Sequence, residues 1–291
     1  MLTNKLSIHN ILTGIAFSPN LRANFYEAAR LSAFFGARLI LVHVGSKTKQ
    51  KEEVINLIIQ DFCEKNTYNQ PIEIIWEEGL IVPVILKAID RFKADLLILG
   101  ALKKEQLLKY YMGSIARKLT RKAPCSVLLL IKPSVVRKPS DHIVVNGLNA
   151  NQTPQTIFDS FAIAQILGSV KITIIEEVSR QEVNVMVNDD RSLRKATLIK
   201  ERITRREAFR VQEIIHQIPE NLKKGILIKL QSIFGKRGYS IGHYANLVRA
   251  DLLIMNAPSK TRFLDRLFPH DIEYILSELP TDVLVIKERD S

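Results

Sequence analysis

Continuous hydrophobic runs and stripes at helical spacing alternate along the first half of the chain. The continuous runs predict strands buried on both faces, over 8–17, 39–44, 72–76, 96–99 and 126–131. The stripes predict helices over 21–35, 51–65 and 84–92, and a fourth helix that begins at Gly113 and Ser114. The order βαβαβαβαβ is typical of a parallel sheet with helices on both faces.

The second half repeats this order. Strands are predicted over 143–147, 170–176, 225–229, 252–255 and 283–286, with a helix over 154–167 and a long, densely charged helical stretch over 191–218. The run Ala94-Asp95-Leu96-Leu97-Ile98 recurs as Ala250-Asp251-Leu252-Leu253-Ile254, an offset of 156 residues, whereas Asn10 aligns with His142 at an offset of 132. A tandem duplication with one insertion follows: domain 1 over 1–134, a linker over 133–141, and domain 2 over 140–291 with its insertion near 180–220.

The formal net charge of +12 is concentrated in the first half. Residues 1–140 hold 21 Lys and Arg against 11 Asp and Glu, whereas residues 141–291 hold 21 against 19. Seven basic residues lie between Lys103 and Lys122, opposed only by Glu105, which favours an anionic ligand or partner. A solvated helix face explains the same residues equally well.

If the chain has a site, we expect it where the strand ending at Gly100 leads into the next helix, because parallel sheets bind ligands at the carboxyl ends of their strands. Ser114 is expected to cap that helix. Cys63 and Cys125 show no ligand spacing, and Cys125 is interpreted as a structural thiol. The six histidines do not cluster at metal-ligand spacing, and no apolar run reaches the ~18 residues of a membrane span. The N-terminus lacks the apolar core of a signal peptide, so a cytoplasmic location is expected.

Several segments of the first half resemble the universal stress protein (UspA-like) family. They are ILTGIAFSPN at 11–20, LVHV at 41–44, Glu78-Gly79, ADLLILG at 94–100, Gly113-Ser114 and APCSV at 123–127. The resemblance implies two tandem adenine-nucleotide α-hydrolase-like (Rossmann-like) domains, each a five-stranded parallel sheet with helices on both faces. It covers residues 5–132 strongly and the second half more weakly.

Nucleotide-binding members of that family carry Gly, two residues, Gly, nine residues, then Gly-Ser or Gly-Thr. Here the spacing is kept as Gly100, Lys103 and Gly113-Ser114, with lysine in place of the second glycine. That lysine either crowds the phosphates or itself binds one. The family's aspartate after the first strand is matched by Ala16, which loses a hydrogen bond, while Val44 beside the base is kept. The site residues that the resemblance implies are Ala16, Val44, Gly100, Lys103, Gly113, Ser114 and Ile115.

The second half departs further from this pattern. At the equivalent spacings it has Asn256, Ser259 and Pro269-His270, with Leu148 in the aspartate position. Since proline has no N–H to offer a phosphate, domain 2 is not expected to bind nucleotide by the family mode. His270 lacks a nucleophile at a recognisable spacing and is interpreted as a helix-start residue. Gly235, Gly238 and Gly242 are interpreted as a flexible turn.

Two functions remain open from the sequence. The first is a cytoplasmic stress-response protein whose first domain binds ATP or AMP as a regulatory ligand. The second is a non-nucleotide interaction module acting through protein partners. Neither is an enzyme, because no nucleophile, general base or metal accompanies the loop. A homodimer or an intramolecular pseudo-dimer is expected, whereas contact with nucleic acid or a membrane surface through the basic half is a weaker alternative.

Overall fold

The computed structural model of the 291-residue chain describes residues 7–100, 102–103, 110–111, 113–183, 185–236, 238–257 and 270–287. These residues form two compact units. The first unit contains residues 7–139 together with 282–287, and the second contains residues 140–281.

Strands and helices alternate through the first half of the chain. They are β1 (Asn10–Gly14), α1 (Leu21–Phe35), β2 (Arg38–Val44), α2 (Lys49–Lys65), β3 (Ile72–Glu77), α3 (Ile81–Phe92), β4 (Leu96–Gly100), β5 (Leu102–Lys103), β6 (Tyr110–Tyr111), α4 (Ser114–Lys122) and β7 (Ser126–Leu130). The strands predicted to be buried on both faces form the core, with Ile11, Leu12 and Leu97 fully buried.

The second half continues with β8 (His142–Asn146), α5 (Thr153–Leu167), β9 (Lys171–Ser179), α6 (Asp190–His216), α7 (Glu220–Lys223), β10 (Leu227–Gly235), α8 (Tyr239–Leu247), β11 (Leu252–Asn256), α9 (His270–Ser277) and β12 (Asp282–Ile286). A short 3-10 turn, Arg180–Glu182, follows β9. The predicted long helical stretch is α6, whose start is fixed by a capping box between Asp189 and Ser192.

The main sheet of the first unit has the order β12-β7-β4-β1-β2-β3. Its five strands from the first half are parallel, as expected for this fold class. The second unit has four parallel strands in the order β10-β9-β8-β11. The two orders match strand for strand, so β8, β9, β10 and β11 are the counterparts of β1, β2, β3 and β4.

The last strand departs from the expected five strands per half. β12 pairs antiparallel with β7 of the first unit, with Val283 opposite Leu129. The Ile131 amide donates to Asp282 Oδ1 at 2.8 Å, and the Lys287 amide donates to Ser126 Oγ at 3.1 Å. The first unit therefore contains a strand that lies about 150 residues further along the chain than its partner.

The repeated Ala-Asp-Leu-Leu-Ile motif has a structural role in both halves. Asp95 Oδ2 accepts hydrogen bonds from the amides of His9 at 2.7 Å and Asn10 at 3.0 Å, at the start of β1. Asp251 Oδ2 accepts from the His142 amide at 2.9 Å, at the start of β8. The motif thus ties the beginning of one central strand to its neighbour, which explains the conspicuous repeat without a ligand.

Two helix ends repeat as well. Gly36 ends α1 at φ 64°, and Gly168 ends α5 at φ 77°, at the same offset of 132 residues. Glycine adopts this left-handed conformation at the lowest cost, which explains why it ends both helices.

The glycine cluster of the second half is ordered differently from the predicted turn. Gly235 ends β10, Gly238 is the N-cap of α8, and Gly242 lies inside that helix. A methyl group added at Gly242 would lie 2.7 Å from Ile275 Cδ1. This glycine therefore permits close packing of α8 on α9, and the turn interpretation was wrong at this position.

Candidate functional site

Three of the sequence-predicted site residues lie at the carboxyl edge of the first unit's sheet. Gly100 is the last residue of β4, Ala16 follows β1 by two residues, and Val44 is the last residue of β2. Because β4, β1 and β2 are adjacent and parallel, these positions share one edge. This is the edge where parallel sheets place ligands.

The N-terminus of α4 supplies three further predicted residues. Gly113 is the N-cap, in the extended conformation with φ −63° and ψ 163°, and Ser114 and Ile115 are the first helical residues. The expectation that Ser114 caps the helix was wrong: it lies one position inside the helix, and the N-cap makes no side-chain hydrogen bond. The first amides of α4 therefore have no competing side-chain cap, which suits an anion.

Lys103 lies in β5, where its backbone pairs with Tyr110 of β6. The residues that connect these two short strands, including Lys104 and Lys109 of the predicted basic cluster, lie outside the described residues. Besides Lys103, the structure describes four basic residues of that cluster, and all four lie on α4: Arg117, Lys118, Arg121 and Lys122.

An aromatic cluster, which the sequence analysis missed, lies at the carboxyl ends of β1, β2 and β3. Phe17 stacks on Trp76 with ring centroids 6.1 Å apart, and both rings meet His43 edge-on at 5.0 and 5.1 Å. All three are aromatic rings near the ends of predicted strands, and this shared position could have indicated the cluster from the sequence alone. Partly exposed rings at such an edge offer a surface on which a planar ligand can stack.

His43 is held in a defined tautomer within this cluster. Its Nδ1 lies 3.1 Å from the Ile15 carbonyl oxygen, which can only accept, so Nδ1 carries the proton. Its Nε2 lies 3.3 Å from Lys51 Nζ, which donates to it. Lys51 also lies 5.7 Å from the centre of the Phe17 ring. The cluster therefore combines stacking surface with one positive charge.

Asn24 of α1 is a second residue that the sequence analysis missed. A methyl group added at Gly100 would lie 3.2 Å from Asn24 Oδ1, so the glycine allows this amide to approach the end of β4. Asn24 Oδ1 is buried and has no hydrogen-bond partner. An acceptor beside the loop is thus available to a donor from outside the chain.

The equivalent edge of the second unit carries other chemistry. Asn256 replaces Gly100 at the end of β11 and donates from Nδ2 to Thr153 Oγ1 at 2.9 Å. The Glu177 carboxylate accepts from the amides of Gly238 at 2.8 Å and Ile241 at 2.7 Å, which satisfies the N-terminus of α8. Ser259 and Pro269 lie outside the described residues, and His270 begins α9.

The two cysteines differ in exposure. Burial raises the pKa of the Cys125 thiol to about 12, which makes it an unreactive structural group. Cys63 is exposed on α2, and partial burial of its thiol raises its pKa as well. Among the residues that the structure describes, no group of three His, Cys, Asp or Glu side chains is placed to hold a metal ion. No helix in the described ranges is long and apolar enough to cross a membrane.

Solved structures share this architecture across almost the whole chain. A functionally unknown protein from Pseudomonas aeruginosa PAO1 is 19% identical and superposes with a TM-score of 0.70, covering 98% of this chain and 94% of its own. A universal stress protein from Archaeoglobus fulgidus DSM 4304 is 14% identical with a TM-score of 0.62, covering 97% and 98%.

The cytoplasmic domain of a prokaryotic cation chloride cotransporter, 13% identical, also matches, with a TM-score of 0.52 over 98% of this chain and 97% of its own. At these identities the likeness shows the fold alone. A search of the curated proteins returned no match.

The first half carries a more specific likeness. Residues 46–130 match the model of the universal stress protein family. This segment includes β4, the N-terminus of α4 and the spacing from Gly100 to Ser114. Residues 46–130 are therefore part of a universal stress protein domain, and the resemblance seen in the sequence is confirmed.

Proposed function

We propose that the chain is a cytoplasmic stress-response protein whose first unit binds an adenine nucleotide, ATP or AMP, as a regulatory ligand. One observation supports this proposal above the others. Gly100 ends β4 and Gly113-Ser114 begins α4, at the family's motif spacing and inside the matched segment. The helix amides and its positive dipole end favour the phosphates.

The residues of this edge fit a nucleotide in part. The Phe17–Trp76 pair gives the base a stacking surface, and Lys51 adds positive charge beside it. Asn24 Oδ1 can accept from a ribose hydroxyl. Ala16 leaves the ribose side without the family's carboxylate, so we expect weak binding, with a dissociation constant of about 0.1–1 mM.

Trp76 makes the test direct, because it is the one tryptophan in the sequence. ATP or AMP that stacks at the carboxyl edge should change Trp76 fluorescence saturably, with about one site per chain by calorimetry. Gly113→Val should abolish this response, since the branched side chain crowds the phosphate position. A second variant, Lys103→Gly, removes a positive charge, and Lys138→Gly, which removes an exposed lysine of the linker, is its control.

Lys103→Gly separates the two roles left open for that lysine. Weaker binding by this variant makes Lys103 a phosphate contact, whereas stronger binding makes it an obstruction. Equal affinity in Gly113→Val and the parent would contradict the proposal. Absence of binding in both the parent and Lys103→Gly would favour the second function, an interaction module that acts through protein partners as a homodimer or pseudo-dimer.

A further inference from the structure

The second unit contains a cavity that the nucleotide proposal does not use. It has a volume of about 180 Å³ and lies at the carboxyl ends of β8 and β9, beneath α6. Its lining includes Leu148 after β8, Glu176 on β9, and three charged residues of α6: Arg206, Glu207 and Arg210. A single water needs only about 10–15 Å³ in comparable terms, so the cavity has room for a small organic molecule.

Glu176 is the unusual member of this lining. Its residue is 2% exposed, and its Oε1 is buried without any hydrogen-bond partner. Its other oxygen, Oε2, accepts from Ser232 Oγ at 2.7 Å. A buried carboxylate oxygen with no donor is costly, and the simplest remedy is a donor from a bound molecule.

The arginines of the cavity are already occupied. Arg210 donates from Nε to Glu207 Oε2 at 2.9 Å and from a terminal nitrogen to the Gly147 carbonyl oxygen at 2.5 Å. Arg206 donates to Glu207 Oε1 at 2.9 Å. Glu207 is thus paired on both oxygens, and the described hydrogen bonds of the two guanidinium groups go to Glu207 and Gly147. The charge of Arg210 therefore acts on Glu176 without a hydrogen bond to its Oε1.

The charge balance of the lining therefore favours a cation. Glu176, Glu182 and Glu207 face Arg206 and Arg210, which leaves one negative charge in excess. Glu177 also lines the cavity and keeps its negative charge while it accepts from the α8 amides, so it adds to this excess. A metal ion fits poorly, because the described carboxylates do not converge as a metal-binding group.

We propose that this cavity binds a small primary amine, whose ammonium group donates to Oε1 of Glu176 while its carbon chain lies along Leu148. The cavity is a separate site from the nucleotide edge, since all of its lining residues belong to the second unit.

The test uses the full chain and two probes of equal size, n-butylammonium and 1-butanol, titrated by ligand-observed NMR at neutral pH. Butylammonium should bind saturably with a dissociation constant of about 1 mM. The neutral 1-butanol should bind at least about tenfold more weakly, because the excess negative charge favours a cation.

Glu176→Gln keeps the size of the side chain and should weaken butylammonium binding at least about tenfold. Glu220→Gln removes an exposed carboxylate of α7 outside the cavity and should leave binding unchanged. Leu148→Phe narrows the cavity with Glu176 intact and should also weaken binding, which keeps the test decisive if Glu176→Gln fails to fold.

Three outcomes would overturn the proposal. They are equal affinity for the two probes, unchanged butylammonium affinity in a folded Glu176→Gln or Leu148→Phe variant, and no saturable binding by the parent. Displacement of butylammonium by equimolar Ca²⁺ would also overturn it, in favour of a metal site.

Discussion

His43 and Glu176 occupy equivalent positions in the two halves, yet their surroundings share almost nothing. Asn10 pairs with Arg38 in the first unit, and its counterpart His142 pairs with Lys171 in the second. His43 and Glu176 each lie five residues further along, opposite Trp76 and Ser232. One position carries an imidazole among aromatic rings, and the other a buried carboxylate beside two arginines.

The backbone has therefore been kept while the chemistry at the strand ends has changed. The shared features are structural: the aspartate that ties neighbouring strands and the glycines that end α1 and α5. The differing features are the side chains at the carboxyl edge. A ligand proposed for one unit thus cannot be transferred to the other by fold likeness.

The largest loss of stability is expected in the second unit, at a carboxylate that the first unit lacks. Glu177 is the register counterpart of Val44, and Glu177→Val should destabilise the second unit by about 3 kcal/mol, because two buried amides of α8 lose a charged acceptor. Urea unfolding measures the loss, and hydrogen exchange of the α8 amides localises it.

Glu78→Val, an exposed loop carboxylate of the first unit, is the control and should change stability by less than about 0.5 kcal/mol. Unchanged α8 protection in Glu177→Val would show that the helix start does not rely on this carboxylate.

A smaller effect is expected in the first unit. Trp76→Ser places the second unit's residue in the aromatic cluster and should cost about 2 kcal/mol, since Phe17 and His43 both lose ring contacts. Urea unfolding followed by circular dichroism measures it. Trp76→Phe should recover more than half of the loss, and equal destabilisation by the two variants would mean that the ring contacts contribute little.

The smallest predicted change in stability is a stabilisation, produced by Glu176→Gln. Burial raises the pKa of Glu176, against the hydrogen bond from Ser232 and the charge of Arg210, while Glu207 raises it further. A raised folded-state pKa means that the stability Glu176 contributes is present at acidic pH and is lost as the pH rises through that pKa. Glu176→Gln should therefore stabilise the protein at pH 7, by about 1 kcal/mol after screening by solvent.

The stabilisation should disappear below about pH 4, where the parent's carboxyl group is protonated in both folded and unfolded chains. Urea unfolding of parent and variant at several pH values tests this. A stabilisation that is independent of pH would contradict the assignment to Glu176 ionisation.

The sequence was a good guide to the sheet and a partial guide to the site. Strands such as β4 and β7 were predicted because burial on both faces leaves continuous apolar runs. Gly100 and Gly113 were predicted as site residues from the family's motif spacing, and the structure places them at the end of β4 and at the N-cap of α4. The pairing of β12 with β7 could not be predicted, since periodicity specifies a strand without its partner.

The cavity in the second unit was missed for a related reason. Glu176 was predicted to lie at a strand end, but it lines the cavity together with residues of α6, for which the sequence predicted only a long, densely charged helical stretch. Only the fold brings Glu207 and Arg210 from α6 to a strand more than 30 residues earlier. Long-range pairing of charges leaves no local sequence pattern.

The antiparallel pairing of β12 has a consequence for synthesis on the ribosome. The residues of β7 emerge about 150 residues before those of β12, which at roughly 5–20 residues per second is a delay of about 8–30 s. During that interval β7 presents unpaired backbone groups at the edge of an otherwise finished sheet. The first unit is thus synthesised first, but its sheet is completed only when β12 emerges. A chain that stalls in the second half leaves β7 as an unpaired edge strand that can associate with other chains.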